Sequence, residues 1–121
     1  MLRPIPYRIL RHSVTLKVCT GIDAWQKPAY REVPLHRVCV QPSNETKKTA
    51  DNAEVVLRGI CFVDVRRSSP AGTDFIALQS ESVAAGAPMR LVFGSQDHVV
   101  LVVEPLYDDV SILHHYELGL V

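Results

Sequence analysis

Apolar and polar positions alternate along most of this chain with a period of two, the spacing of a strand with one face buried. Residues 13–20, SVTLKVCT, place Val14, Leu16 and Val18 on one side and Thr15, Lys17 and Cys19 on the other. Residues 29–41 predict a longer strand, with Val38 and Val40 opposed to Arg37, Cys39 and Gln41; Pro34 inside it predicts an edge or a bulge. Residues 54–65 predict a third strand, in which Gly59 marks a bulge or a close approach of backbone. Residues 89–93 predict a fourth, followed by a hairpin turn at Gly94, Ser95, Gln96 and Asp97. The strongest signal is residues 98–121. The run Val99, Val100, Leu101, Val102, Val103 predicts a strand covered on both faces, and Pro105, which has no N–H, should end its pairing. Tyr116, Leu118 and Leu120 then alternate with His115, Glu117 and Gly119, which predicts a half-buried closing strand tied into a sheet.

The segments between are polar or broken by proline. Residues 1–12 hold Pro4 and Pro6, which fix φ and disfavour helix before them, so an extended arm is expected. Arg3, Arg8, Arg11 and His12 make it basic; it is either a terminal strand with solvated charges or an arm that docks on a neighbour or on phosphate. Trp25 sits in the turn over 21–28, as a lid on the core edge or as an interface anchor. Residues 42–53 have no aliphatic larger than alanine and predict a projecting loop with Lys47 and Lys48 near its tip, either a solvated hairpin loop or one that reaches a partner or a charged polymer. Residues 66–74 predict another loop. Residues 75–87 are ambiguous: Phe75, Ile76 and Leu78 suit the end of a strand, and 81–85 one helical turn before Gly86. The sum is one domain over 1–121, mainly β, with about six or seven mostly antiparallel strands, almost no helix, and a small barrel or sandwich as its architecture.

Composition narrows the function more than the fold. Lysine plus arginine equals aspartate plus glutamate, for zero net charge in 121 residues. That argues against a nucleic-acid binder working by bulk positive charge and suits a component of an assembly. No apolar run approaches the length of about 18 residues that a membrane helix needs, and the N-terminus lacks the apolar core of a signal peptide. Cys19, Cys39 and Cys61 have no CxxC spacing and read as small buried hydrophobes in a reducing compartment. His114 and His115 are adjacent, so on a strand they should face opposite ways and not share a metal. Asp108 and Asp109 beside Glu104 have the oxygens a divalent cation prefers, though an acidic surface loop is the commoner meaning. A metal-dependent enzyme built on His114 or His115 with Asp108 or Asp109 is therefore the weakest reading. A nucleic-acid-binding β-barrel module is poorly served by the scattered Tyr7, Tyr30, Tyr107 and Tyr116. No catalytic residue, metal ligand or cofactor is expected.

Two ends of the chain carry a resemblance. Ile5-Pro6-x-Arg8-x-Leu10-x-His12-Ser13-Val14-Thr15 at the start resembles the minor capsid proteins of tailed bacteriophages and prophages of Gram-positive bacteria. So does Val103-Glu104-Pro105-Leu106-Tyr107-Asp108 with Leu113-His114-His115-Tyr116-Glu117-Leu118-Gly119-Leu120 at the close. The middle fits in pattern, except that Ala85-Gly86-Ala87-Pro88 stands where that family has a glycine-aspartate turn. The resemblance implies a small β-barrel with long projecting loops that acts in the virion as a head–tail connector or head-completion (stopper) ring, joining portal to tail and retaining packaged DNA. It implies self-association into a ring, portal or adaptor and tail-side partners, phosphate-level contact with DNA without base readout, and no membrane and no reaction. By that analogy the loop with Asn44, Glu45, Thr46, Lys47, Lys48 and Thr49 faces the channel, and Pro4, Ile5, Pro6, Tyr7, Arg8 and Trp25 dock on portal or tail. A tail-side adaptor or a capsid decoration shares the same fold and charge.

Overall fold

The structure, a computed structural model, describes residues 3–49 and 51–121; the first two residues of the expected arm and Ala50 of the expected loop lie outside it. Six antiparallel strands close a barrel in the order β1-β2-β5-β8-β7-β6. They are β1 (His12–Ile22), β2 (Pro28–Pro42), β5 (Gly59–Asp64), β6 (Arg90–Phe93), β7 (Gln96–Tyr107) and β8 (Leu113–Leu120). A separate two-stranded sheet, β3 (Thr46–Lys48) and β4 (Glu54–Val56), and one helix, α1 (Phe75–Ala85), complete the described residues. The mainly β, small-domain reading holds.

The period-two patterns become the barrel lining. Val14, Leu16 and Val18 from β1, Leu35 and Val38 from β2, Cys61 and Val63 from β5, Leu91 from β6, Val100 from β7, and Tyr116, Leu118 and Leu120 from β8 form one core with Phe75 and Met89. The three cysteines are buried and unpaired, as small hydrophobes. The C-terminal strand is anchored on both sides, pairing with β5 on one and β7 on the other. Gly59 is the close approach expected of it, since a Cβ there would sit 3.2 Å from the Gln41 carbonyl oxygen.

Several expectations need correction. Pairing does not stop at Pro105, which lies opposite Tyr116 while the ladder runs on to Tyr107 and Leu113. An antiparallel ladder alternates bonded and non-bonded pairs, and Pro105 occupies a non-bonded one. Its ring nitrogen therefore points away from β8, to a side where β6 has already stopped pairing at Val99. The aliphatic run of β7 is not covered on both faces: of residues 99–103 only Val100 is fully buried. A bulge at Leu101, between the pairs Val100–Leu120 and Val102–Gly119, shifts the alternation so that Val103 rather than Val102 packs toward the core.

Residues 75–87 are neither strand nor single turn but the three-turn helix α1. Asp74 caps it by accepting from the Ile76 and Ala77 N–H groups, and Gly86, at φ +123°, ends it. Its buried positions are Phe75 and Ser82. The helix closes the gap left where β6 stops pairing with β1 at Lys17. There the Cys19 N–H donates to the Ser82 hydroxyl at 2.9 Å, and that hydroxyl donates to the Ala87 carbonyl at 2.7 Å. A side chain thus supplies what a neighbouring strand would have supplied.

The single strand expected over 54–65 is two strands. The chain leaves β4, crosses at Leu57 and Arg58, and enters the barrel at Gly59. The segment 42–53, expected to lack structure, contains β3 and the turn of the β3–β4 hairpin, and the hairpin is fastened to the barrel wall. Leu57, 2% exposed, covers Gly119, where a Cβ would meet its methyls at 3.0 and 3.1 Å. The arm is not extended throughout: residues 7–9 turn, with the Ile9 N–H donating to the Pro6 carbonyl at 3.0 Å.

Candidate functional site

Among the described residues the candidate functional features are surfaces. The first is the outer half of the β1–β2 hairpin. β2 pairs with β5 only from Val38 to Pro42, so residues 28–35 have a partner on the β1 side alone. His36 marks which way the free groups point: its N–H and carbonyl exchange bonds with Ser69, away from β1. By the period of two, Pro34 and Glu32 face the same open side. Pro34 thus sits on an edge, as its lack of a donor demands.

At the tip of this ribbon, Asp23 Oδ1 accepts from the N–H groups of Trp25 and Lys27, both at 2.9 Å. This five-residue turn presents Trp25 at 83% exposure. The lid reading of Trp25 is thereby overturned: it covers no core, because its turn stands beyond the barrel rim. Ile22 beside it packs on Gly86, where a Cβ would lie 2.4 Å from the Ile22 Cδ1. Arg31 on the ribbon pairs with Glu81 of α1 at 2.6 Å. The ribbon is therefore held to α1 as far out as Ile22, and its turn with Trp25 is bare.

The second surface is the β3–β4 hairpin, carrying the residues expected to face a channel. Asn44, Glu45, Thr46 and Lys48 are exposed, while Lys47 and Thr49 are half-buried. The Glu45 carbonyl accepts from the Leu57 N–H at 2.8 Å. Thr49 closes the turn: its hydroxyl donates to Asp51, and its N–H donates to the Ala53 carbonyl at 2.9 Å. Lys47 reaches the barrel, 3.0 Å from Glu104 and 3.6 Å from Glu45. Its bond to Glu104 is the main reason its pKa is raised above the usual lysine value, against the opposing cost of burial. Lys48 stands opposite Glu54. The hairpin therefore presents alternating charge, not a continuous basic strip.

The third surface is the arm. Its main chain is gripped at three points by side chains distant in sequence. The Ile5 N–H donates to Asp64 Oδ2 at 2.8 Å, Arg67 donates to the Ile5 carbonyl at 3.2 Å, and the Arg3 carbonyl lies 2.6 Å from His114 Nε2. Asp64, 1% exposed, also accepts from the N–H groups of Arg66 and Arg67. The guanidinium groups of Arg37 and Arg67 both lie over the Tyr7 ring, 4.6 and 4.3 Å from its centre. Pro4 and Ile5 are half-buried, and Pro6, Tyr7 and Arg8 exposed.

His114 and His115 do not face opposite ways. The register shift between Leu106–His115 and Tyr107–Leu113 leaves His114 without a partner on β7, and such a bulge re-aims a side chain. The two Nδ1 atoms meet at 2.8 Å, and His115 Nε2 lies 3.2 Å from Glu117. Asp108 accepts from the Val110 and Ile112 N–H groups in the β7–β8 turn. Among the described residues, no group of three or more His, Cys, Asp and Glu side chains gathers as a metal cage would require.

The arm and Trp25 were both expected to dock on portal or tail. They lie at opposite ends of β1, whose 11 residues span roughly 35 Å at about 3.3 Å per residue. Sequence reasoning missed Asp64, Arg67 and His114 as the clamp on the arm. Only the doubled histidine was a local sign of it.

The family model described as minor capsid protein matches residues 6–120 of this sequence. No curated protein matches it.

Proposed function

Because the chain belongs to the minor capsid protein family of phages and is a structural protein of the virion, we propose that it is a head–tail connector of the stopper kind. In this reading copies form a closed ring below the portal, join it to the tail side and keep packaged DNA in the head. The barrel is a building block and performs no reaction.

The observation that carries the reading is the ribbon. A strand stretch without a second neighbour is a place where another chain can pair, and tryptophan is enriched among the residues that anchor interfaces. Here such a stretch of β2 and the 83% exposed Trp25 occur together, on a ribbon held to α1 by the Arg31–Glu81 pair and the Ile22–Gly86 contact. Trp25 docks on portal or tail. The arm, Pro4 to Arg8, docks at the other end of β1, which gives the ring one contact face toward the head and one toward the tail. Neighbouring copies within the ring meet through heterologous contacts, which close when the rotation per copy completes a turn. The β3–β4 hairpin, Asn44 to Thr49, lines the channel. With Lys47 engaged by Glu104, Lys48 is its exposed cation, and contact with DNA is to phosphate, without base readout.

The test uses DNA-filled heads from a phage lacking this protein, to which the purified chain is added. Binding at the portal vertex, nuclease-resistant DNA and tail joining are expected. Binding to tails but not to the portal vertex would make it a tail-side adaptor, and binding over the capsid lattice a decoration protein; either overturns the connector reading.

A further inference from the structure

We propose that His114 and His115 form a one-proton clasp on the N-terminal arm, and that a second proton opens it. The inference stands on the geometry of the pair and does not depend on the connector reading.

Hydrogen-bond accounting fixes the proton count. His114 Nε2 faces a carbonyl oxygen, Arg3 O, at 2.6 Å, so it must carry hydrogen. His115 Nε2 faces the Glu117 carboxylate at 3.2 Å, so it also carries hydrogen, or takes one from that carboxyl. The two remaining nitrogens, both Nδ1, face each other at 2.8 Å. One hydrogen between them makes an N–H···N bond, whichever ring holds it. Two hydrogens put N–H against N–H and two imidazolium charges in contact. The pair plus Glu117 therefore satisfies every partner with a single added proton, whereas a second leaves the two Nδ1–H groups opposed.

The charges around the pair bear on the same balance. Glu117 lies on β8 beside His115, and Asp64 on β5 is directly opposite His115. Leu106 is its partner on β7, beyond which Glu104 faces Glu117. Glu104 is balanced by Lys47. From the arm side the Arg3 main-chain carbonyl faces His114, and Arg67 reaches the Ile5 carbonyl. Glu117 and Asp64 place carboxylates beside the pair. A second added proton would face an imidazolium already present, with no acceptor left for it on the opposing Nδ1.

The mechanical result follows from where His114 is attached. It is buried, and its bond to Arg3 is one of the three main-chain grips on the arm. When the two rings repel they cannot both keep their places; we assign the displacement to His114, and with it the loss of that grip. Ile5 then loosens from Asp64, and the groove formed by Ile5, Ile9, Gln41, Phe62 and His115 opens its apolar floor. Histidine is the side chain whose ordinary charge change falls between about pH 5 and 8, so the strap is tested across that range.

Ile5 is a natural reporter, because Pro4 and Pro6 on either side have no N–H. Its amide exchange is measured at pH 7.5 and pH 5.0 and divided by the intrinsic rate at each pH. We expect protection of Ile5 to fall roughly ten-fold or more at pH 5.0 while the β5 and β8 amides stay protected, as for a local opening. In His115→Gln, where His114 meets a neutral donor, protection should hold within about two-fold over the same range. In the unmodified chain, ring nitrogen shifts should report the second protonation over the pH range in which Ile5 is released. Protection that is unchanged from pH 7.5 to 5.0 overturns the proposal. So does an equal fall in His115→Gln, which would assign release to the Asp64 carboxylate instead.

Discussion

The wall made by β5, β8 and β7 and the ribbon made by the outer halves of β1 and β2 are built from the same alternating pattern, yet they end up in opposite situations. In the wall each strand has neighbours, Leu118 and Leu120 have no exposure, and even the outward Gly119 is covered by Leu57. In the ribbon β2 loses its second neighbour before Val38, Ile22 is 42% exposed and Trp25 is 83% exposed. The lesson is that alternation specifies a strand and its inner face but not what covers the other side. The wall has the burial that stabilises a domain. The ribbon has what a domain that worked alone would have hidden.

The contrast breaks most strongly in the wall. Leu118→Ala removes a fully buried side chain at the middle of β8 and should cost about 2–5 kcal/mol of unfolding free energy, measured by denaturant titration. Ser82→Ala tests the join between the two regions. It strips the partner from the Cys19 N–H and the Ala87 carbonyl, and leaving such groups unpaired costs about 1–3 kcal/mol. The loss should appear as faster amide exchange at Cys19, with β8 unaffected relative to the global change.

Alkaline pH should weaken the wall by a route absent from the ribbon tip. Burial pushes the Cys61 thiol upward from 9.0, with Cys39 adding to it, and burial also raises the Tyr116 phenol above 10.0. Each group holds its proton more tightly folded than unfolded. Its contribution is complete below the unfolded value and is lost as pH rises toward the folded one. The unfolding free energy should therefore decline from about pH 9 upward, by at most ~1.4 kcal/mol per pH unit for each group, read by denaturant titration. Cys61→Ala should lower stability at neutral pH but flatten the decline. A decline equally steep in Cys61→Ala would contradict this assignment.

What could be read from the sequence follows the same division. The strands of the wall were legible because Tyr116, Leu118 and Leu120 repeat at a period of two over a full strand. Helix α1 was not, because its buried stripe holds Ser82, a polar residue, while Ile76 and Val83 point outward at 43% and 59% exposure. A pattern of apolar spacing misses a helix whose key inward contact is a hydroxyl. The β3–β4 hairpin was hidden for a related reason: Leu57 and the Lys47–Glu104 pair hold it, and neither lies within the segment's local pattern of hydrophobicity. Pairing through Pro105 depends on which side of β7 is vacant, a fact of topology. The arm was legible as an extended element up to Pro6, but its clamps lie 59 and 111 residues away, at Asp64 and His114. Trp25 was visible as a turn residue; its exposure came only with the ribbon's height above the rim.

The smallest effect on stability should come from the residue with the largest effect on assembly. Trp25→Ala, measured for both unfolding and binding at the portal vertex of DNA-filled heads, tests the division of labour most directly. The account predicts an unfolding free energy within about 0.5 kcal/mol of the unmodified chain, together with binding weakened by about 2 kcal/mol, roughly thirty-fold, or more. Undiminished binding, or a stability loss of the size expected for Leu118→Ala, would contradict it.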